Sequence, residues 1–284
     1  MYMTVNDFKM FYEVSGNESG EWLVLVHGMF GSTRCWKYQI NEFREHFKVL
    51  SIDLAGHGKS EGQETERYSG EIVANHIRIV MDDLGIKKAH FLGISLGTII
   101  QQYFCELFPE RVISTIYASP VTKSGRLSAF FNGFSDKVLL KLFSKDTYLK
   151  LMANIMMPGR IHEKSRKFFV QETEKMNDHE FFKWWKLVME GNHYDYLRES
   201  NIPALIITGE KDFCFFSDSL LLTEKYNKCI LKVIENAGHV TIFQRPEEFN
   251  RIVVEYLVEK NYLSEQDMYE NVVTQKMEFS FRVA

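Results

Sequence analysis

A serine between two glycines is the first group in this chain with a clear chemical use. Residues 93–97 read Gly-Ile-Ser-Leu-Gly, with Ser95 at the centre. The apolar residues before this segment favour a buried strand, and a helix is predicted to begin at Leu96. A strand–turn–helix of this kind lifts the serine hydroxyl out of the sheet and exposes it. The sequence therefore predicts Ser95 as a nucleophile for acyl transfer.

A serine hydroxyl needs a base to take its proton and an acid to orient that base. Of the nine histidines, His239 lies in a predicted loop between a strand and the last helix. Asp212 follows the preceding predicted strand, and Glu210 is the alternative acid. Because each group follows a different strand, all of them are expected at one edge of a parallel sheet. The order Ser95, Asp212, His239 is the one expected for such a sheet.

Acyl transfer also needs hydrogen-bond donors for the negative charge that develops on the carbonyl oxygen. The backbone N–H of Leu96, at the predicted helix start, is one candidate. The second is expected from the loop at residues 27–31, with the N–H of Met29 as first choice and that of Phe30 as second. His27 is expected to brace this loop through hydrogen bonds rather than to act as a base.

The elements that must position these groups follow from the hydrophobic pattern. Within the first 120 residues, strands are predicted at 9–14, 22–26, 47–52, 90–94 and 112–118, and helices at 72–84 and 96–108. Ser69 and Gly85 are the predicted start and stop signals of the first helix. The loop at residues 16–20 is interpreted as hairpin-like. Alternating strands and helices predict a parallel sheet that is covered on both faces.

From residue 120 to 201 the predicted strands disappear, and helical segments rich in Phe, Met and Trp replace them. After Pro203 the earlier pattern returns, with strands at 204–208 and 230–234, a helix near 217–226, and a last helix that Pro246 opens. We therefore expect one discontinuous domain, with a helical insertion and a C-terminal extension. The predicted ranges are 1–120 and 201–262 for the core, 121–200 for a helical cap, and 263–284 for the extension.

Composition narrows the function classes. The chain has 284 residues, 45% of them hydrophobic and 25% charged, with 34 Lys+Arg against 38 Asp+Glu and a net charge of -4. These values are typical of a folded globular protein and give no electrostatic basis for nucleic-acid binding. Apolar runs are too short for a membrane span, and no secretory signal is apparent. With four scattered cysteines, a reducing cytoplasmic location is the expectation.

Metal and nucleotide motifs are incomplete. His162-Glu163 and His179-Glu180 each begin H-E-x-x-H, but Arg166 and Lys183 occupy the closing positions. The segment at residues 56–58 reads Gly-His-Gly and lacks the third glycine of a dinucleotide fingerprint. We expect no metal and no cofactor.

Five motifs together resemble the α/β-hydrolase fold family, in its capped esterase-like branch. The resemblance spans about residues 9–258 and rests on the motifs His27-Gly28-x-x-Gly31, Asp53-x-x-Gly56-x-Gly58-x-Ser60, Gly93-x-Ser95-x-Gly97, Gly209-x-x-Asp212 and Gly238-His239. It implies an α/β fold, with a mostly parallel twisted sheet flanked by helices and an inserted helical cap. It also implies Ser95 as nucleophile, His239 as base, Asp212 as orienting acid, and the Met29 and Leu96 amides as oxyanion hole.

Two positions depart from the family pattern. Residues 213–216 read Phe-Cys-Phe-Phe where a proline is common after the acid, and Gln244 stands where Glu is common. Neither position belongs to the predicted triad. Because of the first departure, the family pattern does not predict the pocket wall near the acid.

The residue type at the nucleophile position limits the set of possible reactions. Haloalkane dehalogenases and epoxide hydrolases of this family use Asp where this chain has Ser95. The expectation is therefore a serine hydrolase that acts on a small-molecule carboxylic ester with a small or medium apolar acyl group. A thioesterase, a carbon–carbon bond hydrolase, a perhydrolase and a non-catalytic ligand-sensing protein remain alternatives.

The last residues alternate between apolar and polar types. Met277, Phe279, Phe281 and Val283 are separated by Glu278, Ser280 and Arg282. This pattern is typical of a half-buried strand. It predicts pairing with a sheet edge of the same chain or of a second subunit, which would make a homodimer.

Overall fold

A computed structural model describes residues 1–122, 145–157, 159, 162–173 and 176–258. Its centre is one eight-stranded sheet in the order β1-β2-β4-β3-β5-β6-β7-β8. The strands are β1 (Tyr2–Val5), β2 (Phe8–Gly16), β3 (Trp22–Val26), β4 (Lys48–Ile52), β5 (Ala89–Ile94), β6 (Val112–Ala118), β7 (Ala204–Gly209) and β8 (Cys229–Ile234). From β4 to β8 every neighbouring pair is parallel, and β2 pairs antiparallel with both β1 and β4. The predicted mostly parallel α/β sheet is confirmed.

Helices connect the strands and cover the sheet. They are α1 (Ile40–His46), α2 (Gly70–Asp83), α3 (Leu96–Leu107), α4 (Lys145–Met156), α5 (Glu163–Thr173), α6 (Asp178–Glu190), α7 (Phe216–Thr223), α8 (Thr241–Gln244) and α9 (Pro246–Val258). Helix α2 begins as predicted, because the Ser69 side chain accepts a hydrogen bond from the Ile72 N–H. It ends before Gly85, whose φ of +67° is favourable for glycine.

The sheet has an apolar layer on each face. Successive residues of a strand point to opposite faces, so Val24 packs with the cluster beneath α2 and α3 while Leu25 packs with the cluster beneath α1 and α9. Both side chains are fully buried. Burial on two faces explains why the central strands are almost continuously apolar.

The predicted hairpin-like loop at residues 16–20 is wrong. Strand β2 pairs with β4, where Tyr12 lies opposite Ile52, and β3 pairs with β4 and β5 instead. The physical reason is burial. Four of the five residues of β3 are buried, as in a central strand, whereas β2 is partly exposed and lies towards the edge. Strand β1 and helices α1 and α8 were not predicted; β1 is largely exposed and carries no clear alternation.

Helices α4, α5 and α6 lie between β6 and β7 in the chain, where the sequence predicts a helical insertion. The cap and core boundaries remain predictions. Residues 123–144 of the predicted cap and the 263–284 segment with its predicted strand lie outside the described residues. No helix in the described part of the chain is both long enough and apolar enough to cross a membrane.

Candidate active site

Ser95 lies in a tight turn between β5 and α3. Its backbone has φ 52° and ψ -116°, a region that a residue with a side chain rarely adopts. The turn depends on its glycines. A Cβ on Gly97 would lie 2.1 Å from the Val26 carbonyl oxygen, and one on Gly93 would lie 2.7 Å from the Gly97 backbone. The close approach of β3, β5 and α3 therefore requires glycine at both positions.

Three side chains form a row of hydrogen bonds at the carboxyl edge of the sheet. The His239 Nε2 atom lies 2.9 Å from the Ser95 Oγ, and its Nδ1 lies 2.8 Å from the Asp212 Oδ2. Asp212 and His239 are both buried. A carboxylate accepts only, so it fixes the proton on Nδ1 and leaves Nε2 to accept from the serine hydroxyl. The row has the arrangement that activates a serine nucleophile.

The two candidate acids occupy different places. Asp212 reaches His239 through one carboxylate oxygen and accepts the Phe215 N–H through the other at 3.2 Å. Glu210 turns towards the surface loop after β8, where it accepts the Asn236 N–H at 3.0 Å. Of the two, Asp212 is the acid that contacts the histidine.

The His239 loop is held from both sides. Its own N–H donates to the Met156 carbonyl on α4 at 3.2 Å, and the Gly238 N–H donates to the Gln244 Oε1 at 2.8 Å. The Phe215 ring lies against the imidazole, with a centroid distance of 4.5 Å. Sequence reasoning missed this contact, although it had marked the segment around Phe215 as a departure from the family pattern. Gln244, the second departure, supports the loop.

The candidate oxyanion donors border the same cavity as Ser95. Met29, Phe30 and Leu96 all line it. Among the described residues, the amides of Met29 and Leu96 donate no hydrogen bond to a protein acceptor. Leu96 is the first residue of α3, where an N–H has no partner within the helix. Both amides are thus available to a ligand oxygen.

His27 braces the loop after β3. The Leu54 N–H donates to its Nε2 at 3.0 Å, and its Nδ1 lies 2.8 Å from the Gly28 carbonyl oxygen. Burial lowers its pKa below the ordinary value for histidine. Both ring nitrogens are engaged, as expected of a residue that supports the loop.

Ser95 and His239 line a cavity of about 120 Å³. Most of its wall is apolar, and α4, α5 and α6 contribute Met152, Met156, Phe168, Phe169, Trp185 and Val188. Met and aromatic side chains of the inserted helices therefore form part of the pocket wall. Other apolar residues of the segment, among them Phe181 and Trp184, are buried in the core instead.

Two further polar groups lie in the wall. Cys35 is buried, and burial raises the pKa of its thiol well above the ordinary value, which keeps it neutral. Glu172 of α5 is also buried and was missed by sequence reasoning, because one Glu in an amphipathic helix gives no signal. In the part of the chain that the structure describes, no three His, Cys, Asp or Glu side chains could share a metal ion.

Comparisons with known proteins give the family and the fold of this chain. A family model described as the alpha/beta hydrolase fold matches residues 21–246. An uncharacterized carboxylesterase of Bacillus subtilis is 26% identical over 249 residues, which cover 85% of this chain and 81% of that protein. The bifunctional epoxide hydrolase 2 of Mus musculus is 24% identical over 291 residues, covering 84% of this chain. The chain spans about half of that relative, 52% of its length.

Solved structures show the same fold. A hydrolase from Pseudomonas aeruginosa superposes with a TM-score of 0.79, at 20% sequence identity. The match covers 90% of this chain and 97% of that protein. The solved structure and the family model thus give the same fold for this chain.

Proposed function

Because the chain belongs to the α/β hydrolase fold family, we propose that it is a serine hydrolase that cleaves carboxylic esters through an acyl-enzyme intermediate. The observation that carries this proposal is the row Asp212–His239–Ser95, with contacts of 2.8 and 2.9 Å, which opens into an apolar cavity. Ser95 is the nucleophile, His239 the general base and Asp212 the orienting acid.

In the first half of the reaction, the Ser95 Oγ attacks the ester carbonyl while the His239 Nε2 takes the hydroxyl proton. The N–H groups of Met29 and Leu96 stabilise the negative charge on the carbonyl oxygen. His239 then donates its proton to the leaving alcohol, which leaves an acyl group on Ser95. In the second half, His239 takes a proton from water as the water oxygen attacks the acyl carbonyl. The bond to the Ser95 Oγ then breaks, His239 returns the proton to that oxygen, and the acid is released.

The serine nucleophile also argues against epoxide hydrolysis, the activity in the name of the mouse relative. Attack of the Ser95 Oγ on an epoxide carbon would form an alkyl ether. An ether has no carbonyl that water can attack, so the enzyme would stop after one turnover. An acyl ester on Ser95 is released by the second half of the same mechanism.

The apolar wall supports small or medium apolar acyl groups as the preferred substrates, since buried methylenes stabilise binding. Thioester hydrolysis, carbon–carbon bond hydrolysis and perhydrolysis would use the same three residues. A ligand-sensing protein would bind its ligand in the same cavity without hydrolysing it. Hydrolysis of simple aryl esters separates the enzymes from the sensor.

The test is covalent labelling with a fluorophosphonate together with hydrolysis of p-nitrophenyl butyrate. Wild-type protein should do both. Ser95→Ala should abolish labelling and lower hydrolysis on the order of 10³-fold or more, with the circular dichroism spectrum unchanged. The matched control is Ser119→Ala, because Ser119 also follows a strand, at φ 46°, and is buried. Labelling of Ser95→Ala, or loss of labelling in Ser119→Ala, would contradict the assignment.

A further inference from the structure

We propose that Glu172 determines the charge selectivity of the pocket: it admits acyl groups that end in a cation or a hydrogen-bond donor and excludes those that end in a carboxylate. The inference rests on the proposed ester hydrolysis at Ser95. It concerns a residue that takes no part in the chemical steps.

Glu172 is a carboxylate in a mostly apolar wall. It lies on α5, lines the same cavity as Ser95, and has a side chain that is only 5% exposed. Phe168 and Phe169 of the same helix line the cavity beside it. Among the described lining residues, it is the only carboxylate. A substrate group that reaches this part of the wall therefore meets a fixed negative charge.

Contacts with the loop after β3 help to hold the carboxylate in place. The Ser32 hydroxyl donates to Oε2 at 3.1 Å, and the Arg34 Nη1 donates to Oε1 at 2.7 Å. A carboxylate oxygen can accept more than one hydrogen bond, so an anchored carboxylate can also accept one from a ligand. Glu172 is thus an acceptor that can remain anchored to the core while it binds a substrate.

The paired cation lies outside the pocket. The Arg34 side chain is 60% exposed and is absent from the cavity wall. Its direct contact with Oε1 offsets part of the carboxylate charge, but the exposed part of the guanidinium is solvated by water, where Coulomb interactions are about fourfold weaker than at a partly buried site. The pairing therefore reduces the field of Glu172 inside the cavity without cancelling it.

A second cation, Lys37, lies close to two aromatic rings of the cavity wall. The Lys37 Nζ lies 4.4 Å from the centroid of the Phe168 ring and 5.7 Å from that of Phe243, two rings that line the cavity. Lys37 is exposed, so salt screens its attraction for anionic substrates. The buried carboxylate is screened less, and its effect should persist at high salt.

The test uses p-nitrophenyl esters of similar length that differ in charge. One acyl chain ends in a trimethylammonium group, a second ends in a neutral tert-butyl group, and the third is an adipate half-ester. For each protein, kcat/KM of the charged esters is divided by that of the neutral ester, so a general loss of activity cancels. Wild type should hydrolyse the adipate half-ester about tenfold or more slowly than the neutral ester, at low and at high salt.

Two substitutions should move these ratios in opposite directions. Glu172→Gln removes the charge and keeps the shape, so the adipate ratio should rise about tenfold and the trimethylammonium ratio should fall. Arg34→Gln leaves the carboxylate without its cation, so the adipate ratio should fall further and the trimethylammonium ratio should rise. Glu163→Gln is the matched control, because Glu163 lies on the same helix, is exposed and is absent from the pocket wall. Its ratios should equal those of wild type.

Several outcomes would overturn the inference. If Glu172 only fastens α5 to the core, Glu172→Gln and Arg34→Gln will lose activity alike and leave the charge ratios unchanged. Equal wild-type rates for the adipate and neutral esters overturn it without any variant, even if Glu172→Gln fails to fold. If wild type hydrolyses the neutral ester and labels at Ser95 but the ratios do not move, only this inference fails. If it hydrolyses no ester, the proposed function fails and this inference with it.

Discussion

The two sides of the cavity are built in different ways. On the core side, Ser95, Asp212 and His239 follow β5, β7 and β8, so the hydrogen-bonded backbone of neighbouring strands fixes their positions. On the opposite side, α4, α5 and α6 contribute six apolar residues to the wall, and contacts of individual side chains help to hold these helices on the core. Examples are Trp184, whose Nε1 donates to the Ala55 carbonyl at 2.9 Å, and Glu172.

A cluster of polar contacts adds to this side-chain attachment. Glu180 of α6 accepts the Tyr68 hydroxyl at 2.6 Å and pairs with Lys183 at 2.7 Å, and Lys183 donates to the Gln63 carbonyl at 2.8 Å. A sheet edge tolerates little displacement, whereas side-chain contacts can change one at a time. Substitutions on the core side should therefore abolish turnover, and those on the helical side should alter stability and selectivity.

The largest effect is expected at the orienting acid. Asp212→Asn should lower kcat about 10³- to 10⁴-fold with little change in KM, because an amide no longer fixes the tautomer of His239. Glu210→Gln is the matched control on the same loop and should keep wild-type kcat. Steady-state kinetics with p-nitrophenyl butyrate measures both. Equal losses in the two variants would contradict the core-side assignment.

The buried ion pair should show how firmly the helical side is attached. Lys183→Met leaves the Glu180 charge buried without its cation, and we expect a loss of about 3 kcal/mol in the free energy of unfolding. Lys167→Met breaks an exposed pair with Glu163 on α5 and should have no measurable effect. Urea unfolding compares the two. Similar losses would show that burial of the pair is unimportant.

Acidification should weaken the junction between the two sides. His193 contacts the Leu187 carbonyl oxygen of α6 and the Tyr103 hydroxyl of α3. Burial lowers its pKa from 6.5 to about 4, although the Leu187 hydrogen bond and, to a smaller extent, Glu71 act in the opposite direction. Between these values the unfolded chain binds a proton that the folded protein does not. Stability is therefore highest above about pH 6.5 and falls towards pH 4.

At pH 5 this histidine should cost about 2 kcal/mol relative to pH 7. Urea unfolding at the two pH values measures the difference, and His193→Gln should reduce it by that amount. His46→Gln is the control, because His46 is exposed. An unchanged pH dependence in His193→Gln would assign the acid sensitivity to another group, such as buried His76, whose pKa burial lowers to about 4.

The smallest expected effect is that of lengthening the acyl chain of the substrate by one methylene. Across p-nitrophenyl esters from acetate to laurate, each methylene should add up to about 0.8 kcal/mol to transition-state binding until the pocket is full. Val188→Phe, on the helical side of the wall, should shift the optimum to shorter chains without changing fluorophosphonate labelling. A rate independent of chain length would show that this wall does not bind the acyl group.

Local patterns in the sequence were sufficient for the elements that depend on neighbouring residues. The helix start at Ser69 and the turn at Ser95 could be predicted because a capping oxygen and closely spaced glycines act within a few residues. The strand Val112–Ala118 was predicted with its observed bounds because a short run rich in β-branched residues favours a strand.

Partners of strands and of isolated side chains could not be predicted in the same way. The loop at residues 16–20 suggested a hairpin, yet β2 pairs with β4 because β3, with four of its five residues buried, takes the more central place. Phe215 against His239 and Glu172 in the pocket were missed for a related reason. Each contact joins residues that are distant in sequence. It forms only because the elements packed around both residues bring them together.

By itself, then, the sequence determined the fold family, the identity of Ser95, Asp212 and His239 as candidates, and a helical insertion rich in apolar residues. Only the tertiary structure decided that Asp212 rather than Glu210 meets the histidine, and that a carboxylate lies in the apolar wall. The physical reason is that residue type and spacing encode interactions along a strand or helix. The direction of a side chain across an interface is set by the packing of all the elements around it.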